Sequence, residues 1–160
     1  MQLRRIVPLA LIATSLVSSA RADPGPLAFV RSLYAAFDAG PAGIDRAMAN
    51  APRVFDPALL ALIREDARQA GAEVPFLNDN PLCECQDFER VRYTIAVQGA
   101  GGKTRARVRF TSGDETKLIV LALRPTPAGW RIADVSSSSR PGLKRYLLAN
   151  VRGARRGRSR

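Results

Sequence analysis

The chain has 160 residues, with 25 Lys and Arg against 14 Asp and Glu, and no histidine. The missing imidazole excludes Ser-His-Asp and Cys-His catalysis and the usual zinc and copper sites, so any catalysis would rest on Asp, Glu, Tyr, Lys or Cys. The positive surplus sits at the two ends. Arg4, Arg5 and Arg21 precede Asp23, eight basic residues follow Ser139, neither segment holds an acid, and the middle is balanced.

Met1 to Arg5 is a short cationic start, and Ile6 to Val17 is an apolar run broken by Pro8, Thr14 and Ser15. Small residues follow up to Ala22. This is the layout of a secretory signal peptide, predicting residues 1–22 as a leader cleaved near Ala22 and an exported, periplasmic location. The run falls short of the roughly 20 residues that span a bilayer. An uncleaved anchor and, through Arg4-Arg5, the twin-arginine route are the alternatives. Residues 23–151 then form one domain, long enough to bury a core without metal or disulfide.

Leu27 to Asp38 carries Phe29, Val30, Leu33, Tyr34 and Phe37 at helical spacing, and Gly40-Pro41 stops it. Ile44 to Ala49 predicts a short helical turn. Asp56-Pro57 supplies an N-cap and a proline at the first helical position. The helix it opens buries Leu59, Leu60, Leu62, Ile63 and Ala67 and ends at Gly71. Ala72 to Phe88 is a long connection holding both cysteines, and a loop of that length in a compact domain is often functional.

Strands follow over Val91–Val97, Arg105–Phe110, Leu118–Leu123 and Trp130–Val135, separated by Gly- and Pro-bearing turns. Their spacing predicts an antiparallel meander. The continuous apolar run Leu118–Leu123 predicts a central strand covered on both faces. Leu143, Tyr146, Leu147 and Val151 mark a short closing helix, and 152–160 reads as a disordered arginine tail. The fold class is α+β: N-terminal helices packed on a curved four-stranded antiparallel sheet, with a short C-terminal helix.

These pieces, in this order, resemble a small uncharacterised family of bacterial exported proteins within the nuclear transport factor 2-like superfamily. The matching segments are Phe29-Val30-Arg31-Ser32-Leu33-Tyr34, Leu59-Leu60-Ala61-Leu62-Ile63, Asn80-Pro81 with Gln86-Asp87-Phe88, Gly129 to Val135, and Leu143-Lys144-Arg145-Tyr146-Leu147. The resemblance implies a cone-shaped fold with a pocket between helices and sheet. It brings no catalytic residue with it. The Cys83-Glu84-Cys85 insert and the arginine tail have no counterpart in it.

Four constellations carry chemistry. Cys83 and Cys85 are the only cysteines, and export favours a disulfide between them. A bond to another chain, free thiols, a redox role and a poor metal site with Glu84 and Asp87 are the other readings. Arg90 and Arg92 share one face of their strand, and Arg105, Arg107 and Arg109 one face of the next. They form either a solvated outer face balanced by Asp87, Glu89, Asp114 and Glu115, or a docking surface for an acidic partner.

Tyr34, Phe37, Phe76, Tyr93, Trp130 and Asp134 are the pocket candidates, with core packing as the alternative for the aromatics. Alternation puts Asp134 on one face with Ile132 and Trp130, where a carboxylate in an apolar cavity would suit a general base. The other reading is an Asp at a strand end, bonded to backbone or arginine. Arg152, Arg155, Arg156, Arg158 and Arg160 form either a solubilising tail or a contact for an anionic envelope surface. No cofactor, metal or nucleic acid is expected. The expected function is an exported, non-enzymatic binding or accessory protein that captures a small ligand, peptide or protein partner. A lyase- or isomerase-like enzyme using Asp134 and an envelope-tethered protein are the alternatives.

Overall fold

A computed structural model describes residues 24–157. The predicted leader 1–22 and the tail residues Arg158 and Arg160 lie outside the described residues. The elements run α1 (Pro26–Asp38), α2 (Pro41–Ala49), α3 (Ala51–Val54), α4 (Pro57–Ala70), β1 (Val91–Gln98), β2 (Thr104–Ser112), β3 (Glu115–Thr126), β4 (Gly129–Ser136) and α5 (Leu143–Gly157). One four-stranded antiparallel sheet in the order β1-β2-β3-β4 carries helices on one face, so the fold is α+β.

Local chemistry sets most boundaries. Asp56 caps α4, its Oδ1 accepting from the Leu59 N–H at 2.7 Å, and Pro57 follows. Gly71 ends α4 at φ 62, which glycine adopts without a Cβ penalty. Pro41 opens α2 directly after the Gly40 break, and the helix is longer than the turn predicted over Ile44–Ala49. Gly43 lets α1 and α2 close, because a Cβ there would stand 2.3 Å from the Ala36 carbonyl oxygen.

Strict alternation builds the sheet. Val91, Tyr93, Ile95 and Val97 face inward on β1, as do Ala106, Val108 and Phe110 on β2 and Ile119, Leu121 and Leu123 on β3. They meet Val30, Leu33, Tyr34 and Phe37 of α1, Leu59 and Leu60 of α4, and Leu143 and Leu147 of α5 in one continuous core. Each fully buried large apolar side chain stabilises by roughly 1.5–3 kcal/mol. α4 buries Leu59 and Leu60 and packs Leu62 and Ile63 against the core as predicted, but it leaves Ala67 exposed and buries Asp66 in its place. The reason is polar. Asp66 accepts from the Leu77 N–H at 2.9 Å and the Asn150 amide at 2.7 Å, tying the 72–88 connection and α5 to α4.

Three other expectations are corrected. β3 is hydrogen-bonded on both sides but covered on one face only: Leu118 is exposed, and Val120 and Ala122 are half-buried. A β-bulge between β3 and β4 pairs Ala122 with Asp134 and Leu123 with Ile132, so Ala133 is the extra residue. It reverses the alternation. Ile132 and Val135 point into the core, and Asp134 leaves the face that holds Ile132 and Trp130. Finally, α5 continues past Val151 to Gly157, so Arg152, Arg155 and Arg156 lie on helical backbone and not in a disordered tail. Extending an anchored helix adds one hydrogen bond per residue fixed, and Arg and Ala are good helix formers.

The sheet ends differently at its two sides. Phe55 bridges Ile132, and the Asp56 N–H donates to the Ile132 carbonyl at 2.8 Å, covering the outer side of β4. Among the described residues no strand pairs with the outer side of β1.

Candidate functional site

Two of the pocket candidates, Tyr34 and Phe37, belong to the packed core. Tyr34 is fully buried and Phe37 nearly so. Tyr34 stacks on Phe37 with centroids 5.5 Å apart, and Phe37 meets Phe110 edge-on at 4.9 Å. The Tyr34 hydroxyl donates to the Leu82 carbonyl at 2.7 Å, and burial pushes the phenol far above its ordinary pKa, so it stays neutral. Tyr93 donates to Asp38 at 2.9 Å at the surface. Its pKa is raised by burial first and then by the Asp38 carboxylate. Trp130 is half-buried against the core. Phe76 is exposed and stacks on Tyr146 at 4.4 Å. The six candidates therefore do not converge: Phe37 borders one cleft with Asp38 and Phe88, and Phe76 another with Val74 and Asn150.

Asp134 serves the backbone. Its Oδ1 accepts from the Lys144 N–H at 3.0 Å, in the first turn of α5, and from the Val135 N–H at 2.9 Å. It satisfies donors that a helix start leaves unpaired. Gly142 permits this approach, since a Cβ there would stand 3.3 Å from Asp134 Oδ2.

The arginines fall where alternation put them. Arg92, Arg105, Arg107 and Arg109 are exposed on the sheet face away from the helices, and Arg90 is exposed just before β1. Arg105, Arg107 and Arg109 run down β2 at about 6.8 Å intervals, the two-residue repeat of a strand. Across the sheet Arg105 sits between Gln98 and Ala122, Arg107 between Ala96 and Val120, and Arg109 between Thr94 and Leu118. None of these neighbours is acidic. Glu115, expected to balance the row, pairs instead with Lys117 at 3.3 Å. Among the described residues no ion pair joins Asp87, Glu89 or Asp114 to these arginines. Beside the basic row, β3 presents Leu118, Val120 and Ala122.

The connection 72–88 holds the second centre. Cys83 and Cys85 are disulfide-bonded, with Cα atoms 5.2 Å apart. Glu84 between them takes φ 49, a left-handed conformation uncommon outside glycine. Its carboxylate accepts from Ser137 Oγ at 2.6 Å, Ser139 Oγ at 2.5 Å and Arg140 Nη2 at 3.2 Å. Its carbonyl accepts from Lys117 Nζ at 2.6 Å. Burial pushes the Glu84 pKa up, but the two hydroxyls, Arg140 and Lys117 together outweigh burial and hold it below the ordinary value. Arg140 is itself buried, clasps Asp79 through both terminal nitrogens at 3.0 and 3.3 Å, and lies 5.5 Å over the Tyr146 ring.

Two clefts flank this loop. One, of about 490 Å³, is lined by Asp79, Glu84, Lys117, Ser137, Ser139 and Arg140. The other, of about 440 Å³, is lined by Ile44, Asp45, Asn80, Cys85, Asp87 and Phe88 among others. Sequence reasoning missed Glu84, Lys117, Ser137, Ser139 and Arg140 as one cluster. Their separation along the chain left no local signal beyond the polar run Ser136–Ser139. Arg152 is exposed on α5. No helix among the described residues is long and apolar enough to cross a membrane. Comparison with protein-family models, curated proteins and solved structures finds no match for this chain.

Proposed function

We propose that this chain is an exported, non-enzymatic binding module that docks an acidic protein segment on the open face of its sheet. The supporting observation is the row Arg105, Arg107 and Arg109, exposed and flanked by uncharged residues on both sides. A row of unneutralised guanidiniums suits bidentate capture of carboxylates at every second residue of an extended segment. The adjacent Leu118, Val120 and Ala122 favour a protein partner over a plain polyanion, because only a protein brings apolar side chains to cover them. The packing of Tyr34 and Phe37 into the core favours surface docking over ligand capture in a cone. Export is supported by the leader-like first 22 residues, and a nuclear transport factor 2-like architecture by the order of helices and strands.

The test is titration of a labelled peptide alternating Glu with Leu against the chain, its Arg105→Gln/Arg107→Gln/Arg109→Gln variant and its Leu118→Ser variant. Docking predicts at least about tenfold weaker binding for the triple variant, a salt-sensitive association rate, and a smaller loss for Leu118→Ser. Equal binding by the triple variant overturns the reading. So does polyphosphate binding as tightly as the peptide with no dependence on Leu118.

A further inference from the structure

The bond between Cys83 and Cys85 lies apart from the arginine face and has a different chemistry. One residue separates the two cysteines, so the bond closes about the smallest loop a chain allows and constrains the unfolded state very little. Global stabilisation therefore gives little account of it. The two cysteines also differ in access. Cys83 is fully buried, whereas Cys85 is part-exposed and borders the 440 Å³ cleft. Glu84, held at φ 49, places local backbone strain between them. Strained or accessible disulfides are the ones that exchange.

We propose that this pair is a thiol–disulfide exchange site that accepts two electrons from a dithiol carried on a neutral or cationic peptide segment. The substrate's first thiolate enters the cleft and attacks Cys85 Sγ. The Cys83–Cys85 bond breaks, a mixed disulfide forms on Cys85, and Cys83 leaves as the thiolate. The substrate's second thiolate attacks its own sulfur in the mixed disulfide, forming the substrate disulfide and releasing Cys85 as thiolate. The two protons given up by the substrate thiols end on Cys83 and Cys85. The carbonyls of Asn80 and Cys85 lie 3.7 and 3.8 Å from Cys83 Sγ, placed to accept from its thiol once protonated.

Bonds other than the disulfide also hold the frame around it. The Glu84 N–H donates to the Asn80 carbonyl at 2.7 Å, the Asn80 N–H to the Cys85 carbonyl at 3.0 Å, and the Glu84 carboxylate stays fixed by Ser137, Ser139 and Arg140. The opened thiols thus remain facing each other for reclosure. The ligand class follows from the lining: Asp45 and Asp87 disfavour an anionic thiol, and Ile44 and Phe88 with Asn78 and Asn80 suit a peptide.

The experiment treats the oxidised full chain with cysteamine or 2-mercaptoethanesulfonate, quenches with acid, and locates the adduct by fragmentation mass spectrometry. The expected adduct is on Cys85, the native bond opens about tenfold faster than in the urea-unfolded chain, and cysteamine outpaces the sulfonate about tenfold per thiolate. The Asp45→Asn/Asp87→Asn variant should lose that charge preference while keeping the Cys85 adduct. An adduct on Cys83, or a native bond that opens no faster than the unfolded one, overturns the exchange site. Equal rates for the two thiols overturn the assigned ligand class.

Discussion

Glu84 and Arg140 meet at 3.2 Å, 56 positions apart along the chain, and both side chains are 8 % exposed. This contact fastens the disulfide loop to the linker between β4 and α5. Arg140 also holds Asp79, so one guanidinium neutralises two carboxylates in a region shielded from water. Removing it leaves Asp79 without this ion pair and Glu84 to Ser137, Ser139 and Lys117.

Arg140→Ala should therefore destabilise the fold by about 3–5 kcal/mol, the range for breaking a buried pair by deleting one partner. Arg140→Lys should recover only part of that, because an ammonium cannot reproduce the two-pronged grip on Asp79. Urea denaturation of the three proteins measures both, and a loss below about 1 kcal/mol for the alanine variant would rule out the clasp as a main support.

Acid should loosen the same joint. The Glu84 pKa is depressed on folding, so its contribution is fully present above the ordinary glutamate value of 4.5 and disappears as pH falls through the lower folded value. Between pH 6 and pH 3 the urea midpoint should fall more steeply for the native chain than for Glu84→Gln. Parallel curves would show that Glu84 is not a linked group.

Asp134 separates a capping role from a catalytic one. Asp134→Ala should cost about 0.5–2 kcal/mol through loss of the α5 cap, whereas Asp134→Asn keeps an acceptor oxygen and should stay near native stability. Thermal melts followed by circular dichroism read the difference. Equal losses for both variants would contradict the cap.

Tyr34→Phe removes the hydroxyl that donates to the Leu82 carbonyl in a fully buried site. The expected cost is about 1–3 kcal/mol, that of a buried acceptor left unpaired. Reduced hydrogen-exchange protection at the start of the Leu82 segment should accompany it. Full retention of stability would mean that water or another donor replaces the hydroxyl.

Features governed by neighbours in sequence were the legible ones. Asp56-Pro57 announced the start of α4 because capping is a three-residue interaction, and the arginine alternation on β2 survived because a strand keeps its period. What failed depended on distant partners. The bulge at Ala133 is set by how β4 registers on β3, and no local pattern in Trp130–Val135 reveals it. Asp66 bears no local mark of burial, yet its carboxylate accepts from Leu77 and Asn150, which only folding brings near. Arg140 carried no signal beyond its place among the basic residues after Ser139, because Asp79 and Glu84 lie far upstream. The extent of α5 past Val151 was hidden by composition, since glycine and arginine describe a coil until a docked helix offers them a template.

The asymmetry between the two margins of the sheet limits how copies of this chain can join through backbone pairing. With Phe55 and Asp56 bonded at Ile132 on the β4 side, β1 is the edge left without any backbone partner strand among the described residues. Two molecules that met there would each spend their single opening on the other, leaving nothing for a third. Strand addition through β1 alone would therefore join copies of this chain in pairs.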